Sequence, residues 1–128
     1  MIPENLKYME SHEWAKIAAD GTVEVGITFH AQEQLGDVVF VQPPEPGSLV
    51  KQGSACAVIE SVKSASDIHA PVSGVVFATN QELAARPELV NSDPYGTWMF
   101  RIKPGNPDEF GALLDAAGYR KFVESGTH

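Results

Sequence analysis

Residues 60–71 read Glu60-Ser61-Val62-Lys63-Ser64-Ala65-Ser66-Asp67-Ile68-His69-Ala70-Pro71. Before this stretch, Ala55, Ala57 and Ile59 alternate with Cys56, Val58 and Glu60, the period of a half-buried strand. After the lysine, Ser66 to Ala70 is a shorter extended run that Pro71 brings to an end, because proline has no N–H to give a ladder. One lysine with small neighbours on its far side separates the two runs. No Gly, Asn or Asp pair sits between them, so composition alone does not mark a hairpin tip.

Upstream, Met1 to Glu10 is short and mixed and is expected to lie across the surface. Glu13 to Ala18 and Val23, Val25, Ile27 read as two strands joined at Asp20-Gly21, where glycine takes φ > 0 without a Cβ penalty. Thr28 caps a short helix that Gly36 ends in the left-handed conformation. Val38 to Val41 is a β-branched and aromatic strand stopped by Pro43-Pro44, and Leu49-Val50 is a brief one. Downstream, Gly74 to Ala78 and Trp98 to Ile102 read as strands, with Asn80 to Asn91 a longer connection and Ser92 to Gly96 a turn. Asn106 caps a helix with Pro107 at its first position, Asp108-Glu109 in its first turn, and Phe110, Leu113, Leu114 and Ala117 on one face. Gly118 reads as its stop, and Ser125 to His128 as a frayed tail. The run Gly36-Asp37-Val38-Val39-Phe40 is echoed by Ser73-Gly74-Val75-Val76-Phe77, either two related halves or a coincidence.

The chain has 128 residues, one domain by length, with 43% hydrophobic and 20% charged residues, ordinary for a soluble globular protein. Eleven Gly and nine Pro favour a turn-rich β architecture over a helical bundle. A net charge of −8 with nine Lys plus Arg argues against nucleic acid, whose phosphates need a basic face, and favours docking to basic protein surfaces. A single cysteine, Cys56, excludes an internal disulfide and fits a reducing compartment. No secretory signal, transit peptide or long apolar run is read, so no membrane span is expected. The expected location is cytoplasmic, with a mitochondrial matrix only if a transit peptide has been removed.

Glu60-Ser61-Val62-Lys63, Ser66-Asp67 and Ala70-Pro71-Val72-Ser73-Gly74 resemble the lipoyl-lysine hairpin of the glycine cleavage system H protein family. Further blocks match in order: Ser11-His12-Glu13-Trp14, Gly26-Ile27-Thr28, Ala31-Gln32-Glu33, Leu35 to Val41, Pro44-Glu45-Pro46-Gly47, Leu89-Val90-Asn91, Asp93-Pro94-Tyr95-Gly96 and Trp98. The resemblance implies a mainly β fold, a lipoyl/biotinyl-type antiparallel β-sandwich (a barrel-sandwich hybrid) with a short internal helix and a C-terminal helical segment. Residues 1–128 form a single lipoyl-carrier domain on this reading, its lipoyl core at about 22–104 and its C-terminal helices at about 107–124.

The same resemblance implies lipoate attached covalently to Lys63, whose primary amine on a flexible stem can be acylated. Glu60, Ser61, Val62 and Asp67 would serve recognition by lipoate-attaching and partner enzymes, although acids at exposed strand ends also serve solubility. An aminomethyl-loaded arm would return to a cleft assigned to Ser11, Glu13 and Asp67, with Gln34 where the family often has a histidine. The implied partners are a pyridoxal-phosphate glycine decarboxylase (P protein), a tetrahydrofolate-dependent aminomethyltransferase (T protein) and dihydrolipoamide dehydrogenase (L protein). The chain would be a monomeric carrier rather than an enzyme. The alternative is an H-like lipoyl carrier serving sulfur oxidation or lipoyl relay. A biotin carrier would flank its lysine with methionines, where this chain has Val62 and Ser64.

Other chemistries lack their residues. His12, His30, His69 and His128 have no metal-ligand spacing, and one cysteine cannot complete a zinc site. Ser, His and Asp near the hairpin are explained by the lipoyl motif rather than a triad, and no Gly-rich phosphate loop occurs. Cys56 reads as a small buried hydrophobe, and Trp14 and Trp98 as core anchors.

Overall fold

The computed structural model describes residues 2–126. β1 (Lys7–Tyr8) runs antiparallel to β2 (Glu13–Ile17), which forms the expected hairpin with β3 (Val23–Ile27). Gly21 takes φ +87 in that turn, and the Asp20 carboxylate accepts both the backbone N–H and the hydroxyl of Thr22. α1 (Phe29–Leu35) follows, its Thr28 hydroxyl oxygen accepting from the Ala31 N–H at 3.2 Å. Gly36 ends it at φ +77 and ψ −157, a positive φ with extended ψ rather than the left-handed helical pair expected.

β4 (Val38–Gln42), β6 (Ala55–Ser61) and β7 (Ala65–His69) form a three-stranded antiparallel sheet with β6 in the middle. β5 (Leu49–Val50), β8 (Gly74–Thr79) and β9 (Phe100–Pro104) join the first three strands in a six-stranded sheet ordered β1-β2-β3-β9-β8-β5. The two sheets stay separate, so the sandwich is no closed barrel. Val23, Val25, Ile27, Phe100 and Ile102 of one sheet and Val38, Val41, Ala57, Ile59 and Ile68 of the other form one core between them. The two Val-Val-Phe runs lie in different sheets, in β4 and β8, and each strand carries a register shift there.

Several expectations shift. Leu6 and Tyr8 do not lie across the surface; with Trp14, Ala116 and Tyr119 they make a second buried cluster, in which the Tyr8 and Tyr119 rings stack at 4.6 Å. Trp14 is an anchor there, whereas Trp98 is half-buried with the Arg101 guanidinium 4.5 Å over its ring. The last strand begins at Phe100 rather than Trp98. Asn80 to Asn91 folds into two one-turn helices, α2 (Glu82–Ala85) and α3 (Leu89–Ser92), which bury Leu83 and Val90.

The single C-terminal helix expected from Pro107 is broken. Asn106 does accept from the Asp108 N–H at 3.1 Å, but α4 (Asp108–Gly111) stops after one turn because Leu114 pairs with Tyr8 through two backbone bonds. Asp115 then caps α5 (Ala116–Glu124) by accepting from the Gly118 N–H at 2.8 Å, which puts Gly118 inside a helix it was expected to end. Ser125 is tied back to α5 through Lys121 and Phe122, and the rest of the tail expectation, Thr127 and His128, lies outside the described residues.

Candidate functional site

Lys63 stands exposed at the tip of the β6–β7 hairpin. Glu60 pairs with Ala65 as the last rung, and the Ser61 N–H donates to the Ser64 carbonyl at 2.8 Å. The Ser61 hydroxyl oxygen accepts from the Ser64 N–H at 3.1 Å and the Lys63 N–H at 3.4 Å, so a side-chain oxygen holds the turn. Among the described residues, His12 alone of the non-glycines has a positive φ. The tip therefore needs no glycine, which is why turn chemistry did not reveal it.

The tip is braced against the corner between α1 and β4. The Val62 N–H donates to the Asp37 carbonyl at 3.0 Å. A Cβ added at Gly36 would sit 3.4 Å from Lys63 Cε, so the lysine stem runs over that glycine. Asn91 fastens the corner from α3: its Oδ1 accepts from the Val38 N–H at 2.8 Å, and its Nδ2 donates to the Gly36 carbonyl at 2.8 Å and to Gln32 Oε1 at 3.1 Å.

Beside the hairpin lies a cleft of about 250 Å³, lined by Ser11, His12, Ile27, Ala31, Gln34 and Leu35 on one side and Ser64 to Ile68 on the other. Ser11, Gln34 and Asp67 are thus brought together. Asp67 pairs with Val58 and, by strand alternation, shares the face of Glu60 rather than that of Ser66 and Ile68. Glu13 is not in the wall but behind it, fully buried. Its Oε1 accepts from the Ser11 hydroxyl at 2.5 Å, and its Oε2 from the His69 N–H at 2.6 Å and the His69 ring nitrogen Nδ1 at 3.0 Å. Burial raises the Glu13 carboxyl above its usual range, and the Ser11 and His69 hydrogen bonds oppose part of that rise.

Sequence reasoning missed three of these residues. His69 clamps Glu13 although it reads as one more strand residue. Asn91 read as the end of a connection and as part of a matching block, with no role in the site. His12 lines the cleft at φ +78, its Nδ1 2.7 Å from the Tyr119 hydroxyl and its ring 4.6 Å from that of His30. The buried Tyr119 hydroxyl also meets Thr28 Oγ1 at 2.8 Å, and burial pushes its phenol up to about 12. The only local signal was a polar side chain next to apolar neighbours, at Ile68-His69-Ala70 and Leu89-Val90-Asn91; His12, between Ser11 and Glu13, carried none. Cys56 is half-buried and its thiol is pushed up to about 12, chiefly by burial and secondly by the Glu13 charge.

The chain matches known proteins along nearly its whole length. The family profile described as "Glycine cleavage H-protein" matches residues 6–126. The glycine cleavage system H protein of Nitrosospira multiformis is 54% identical over 127 residues, covering 99% of this chain and 98% of that protein. Glycine cleavage system H protein 2 of Pseudomonas putida is 58% identical over 122 residues, 95% and 96% of the two chains. In three dimensions, the crystal structure of a glycine cleavage system H protein from Mycobacterium marinum superposes with a TM-score of 0.86 at 40% identity, covering 98% of this chain and 99% of that one. The sandwich, the lysine hairpin and these matches agree: the chain belongs to the glycine cleavage H-protein family, lipoyl carriers of glycine cleavage that are not themselves enzymes.

Proposed function

We propose that Lys63 is the lysine that carries lipoate, and that residues 1–128 work as one carrier domain. The observation that carries this reading is an exposed amine on a braced tip. Among the described residues Lys63 forms no ion pair, so acylation breaks no contact. Acylation removes one positive charge and takes the net charge from −8 to −9. The stem lies over Gly36, which has no side chain to hold it, and the Asp37–Val62 bond keeps the tip in place while the side chain swings. Glu60, Ser61, Val62 and Asp67 present the recognition surface to lipoate-attaching enzymes, Ser61 by fixing the turn.

When bound, lipoate supplies a dithiolane that accepts the aminomethyl unit of glycine and, left as a dithiol, is reoxidised. The partners are the glycine decarboxylase, the aminomethyltransferase and dihydrolipoamide dehydrogenase; the carrier is a cytoplasmic monomer. Ser11 and Gln34, with Glu13 behind them, receive the cationic amine borne by the arm; Asp67, the third residue assigned to the cleft, borders it through its strand while its side chain shares the Glu60 face. The Ser11 hydroxyl donates its hydrogen bond to Glu13, which leaves the lone pairs of its Oγ for that amine. The Gln34 amide oxygen offers a second acceptor, and no role at this position depends on an imidazole. Ile27, Ala31 and Leu35 add apolar surface to the cleft beside its polar residues.

The test is intact-mass spectrometry with peptide mapping, first with lipoate and a ligase, then with glycine and the decarboxylase. One lipoyl group on Lys63 followed by a glycine-dependent methylamine adduct is the expected result. Lipoylation without loading would assign the carrier to another pathway such as sulfur oxidation or lipoyl relay. An unmodified Lys63 would remove the reading altogether.

A further inference from the structure

β4 is an edge strand with a bulge at Val39, between the rungs Val38↔Ser61 and Phe40↔Glu60. Regular alternation would turn one of two neighbouring side chains inward. The bulge instead lets Val38 and Val41 both enter the core, at 4% and 5% exposure, while Val39 and Phe40 both face solvent, at 53% and 48%. Phe40 stands on the rung beside Glu60, three residues from Lys63, and exposed Val62 adjoins it at the tip. Two exposed acids adjoin this apolar centre, Glu60 on the Phe40 rung and Asp37, whose carbonyl holds the Val62 N–H, and Glu33 on α1 and Asp67 on β7 are exposed acids of the neighbouring elements. Across α1, β4, β6, β7 and the tip, Lys63 is the only lysine or arginine, and acylation removes its charge.

We infer that Val39, Phe40 and Val62 form the docking surface by which the carrier seats on the enzyme receiving its arm. The occupant is a protein surface with an apolar recess rimmed by lysine or arginine. The inference rests on the reading of Lys63 and adds to it a contact that persists while the arm moves. An apolar centre with a charged rim is the usual anatomy of such a contact, the aromatic residue carrying most of the affinity and the rim its salt dependence.

The experiment uses the full chain, lipoylated and checked by intact mass, with the glycine decarboxylase as the probe in a surface-plasmon measurement. Phe40→Asp is expected to weaken binding at least about tenfold, and Glu60→Lys, which leaves the apolar contact intact, to weaken it and flatten its salt dependence. Leu49→Asp alters a residue 82% exposed on the other sheet and should bind as wild type. Lipoylated Phe40→Asp and Glu60→Lys that both bind like wild type would overturn the docking surface and leave Lys63 standing. Equal weakening by Leu49→Asp would overturn it too. So would a change confined to self-association in sedimentation, which would make the face a contact between copies. If wild type itself cannot be lipoylated, the reading of Lys63 fails first and this inference with it.

Discussion

Replacing Glu13 separates two roles of one buried carboxylate. Its three donors are unequal: the Ser11 hydroxyl and the His69 ring are partly exposed and can turn to water, whereas the His69 backbone N–H is fixed in β7. Glu13→Ala leaves that N–H without an acceptor, about 1–3 kcal/mol, and removes one buried methylene at about 0.8 kcal/mol, so a loss of roughly 2–4 kcal/mol is expected. Glu13→Gln keeps the shape. Its oxygen can serve both His69 donors while its amide donates to Ser11 Oγ, so the change at neutral pH should stay below about 1 kcal/mol. The two variants must also differ in pH dependence. A carboxyl raised in the folded state contributes stability that is fully present below its unfolded value near 4.5 and is lost as pH rises through the raised folded value. Wild type should therefore gain on Glu13→Gln as pH falls, and Glu13→Gln should lack that component. Urea unfolding of all three proteins between pH 4 and pH 8 reads both effects. Parallel pH curves for wild type and Glu13→Gln, or an alanine variant as stable as the glutamine one, would refute the reasoning. Loss of ammonia from the glycine-loaded carrier should be faster in Glu13→Ala.

Two further outcomes test the surroundings of the site. Gly26 pairs with Trp14, and a Cβ there would meet the buried indole at 2.5 Å, so Gly26→Ala should displace the ring, strain its 2.9 Å bond to the Pro94 carbonyl and lower stability in urea by about 2–4 kcal/mol. Its φ is not positive, so the cost is one of space, and an additional Trp14→Phe change should recover part of it. Cys56, with its thiol raised to about 12, should react with an aromatic disulfide at pH 8 far more slowly than a free thiol and reach normal speed only in denaturant; fast labelling of the native protein would contradict its burial.

Elements announced by their own residues were legible in the sequence. The β2–β3 hairpin carries Asp20-Gly21, and α1 carries Thr28 and Gly36, signals that act within a few residues. The helices α2 and α3 were not read because one turn shows no helical period, although Asn80, which accepts from the Glu82 N–H, and Pro87 mark their starts. The C-terminal break was beyond reach for another reason: the Leu114 bridge partner, Tyr8, is 106 residues away, and a competing long-range pairing leaves no trace in local periodicity.

Lys63 is the extreme case of this limit. Nothing in its chemistry separates it from the other five lysines of the chain. What sets it apart is a combination of contacts made and contacts left out. The Ser61 hydroxyl fixes the turn, Asp37 and Asn91 brace it from distant elements, Gly36 leaves room for the stem, and no acid among the described residues pairs with the amine. A rigid base under a free amine is a property of the assembled corner, so only the resemblance of whole sequence blocks could point to it in advance. Glu13 inverts the same lesson. A charged residue beside an exposed serine reads as surface, yet the fold seals it behind the cleft, where its charge acts through Ser11 and His69 rather than by touching what the cleft receives.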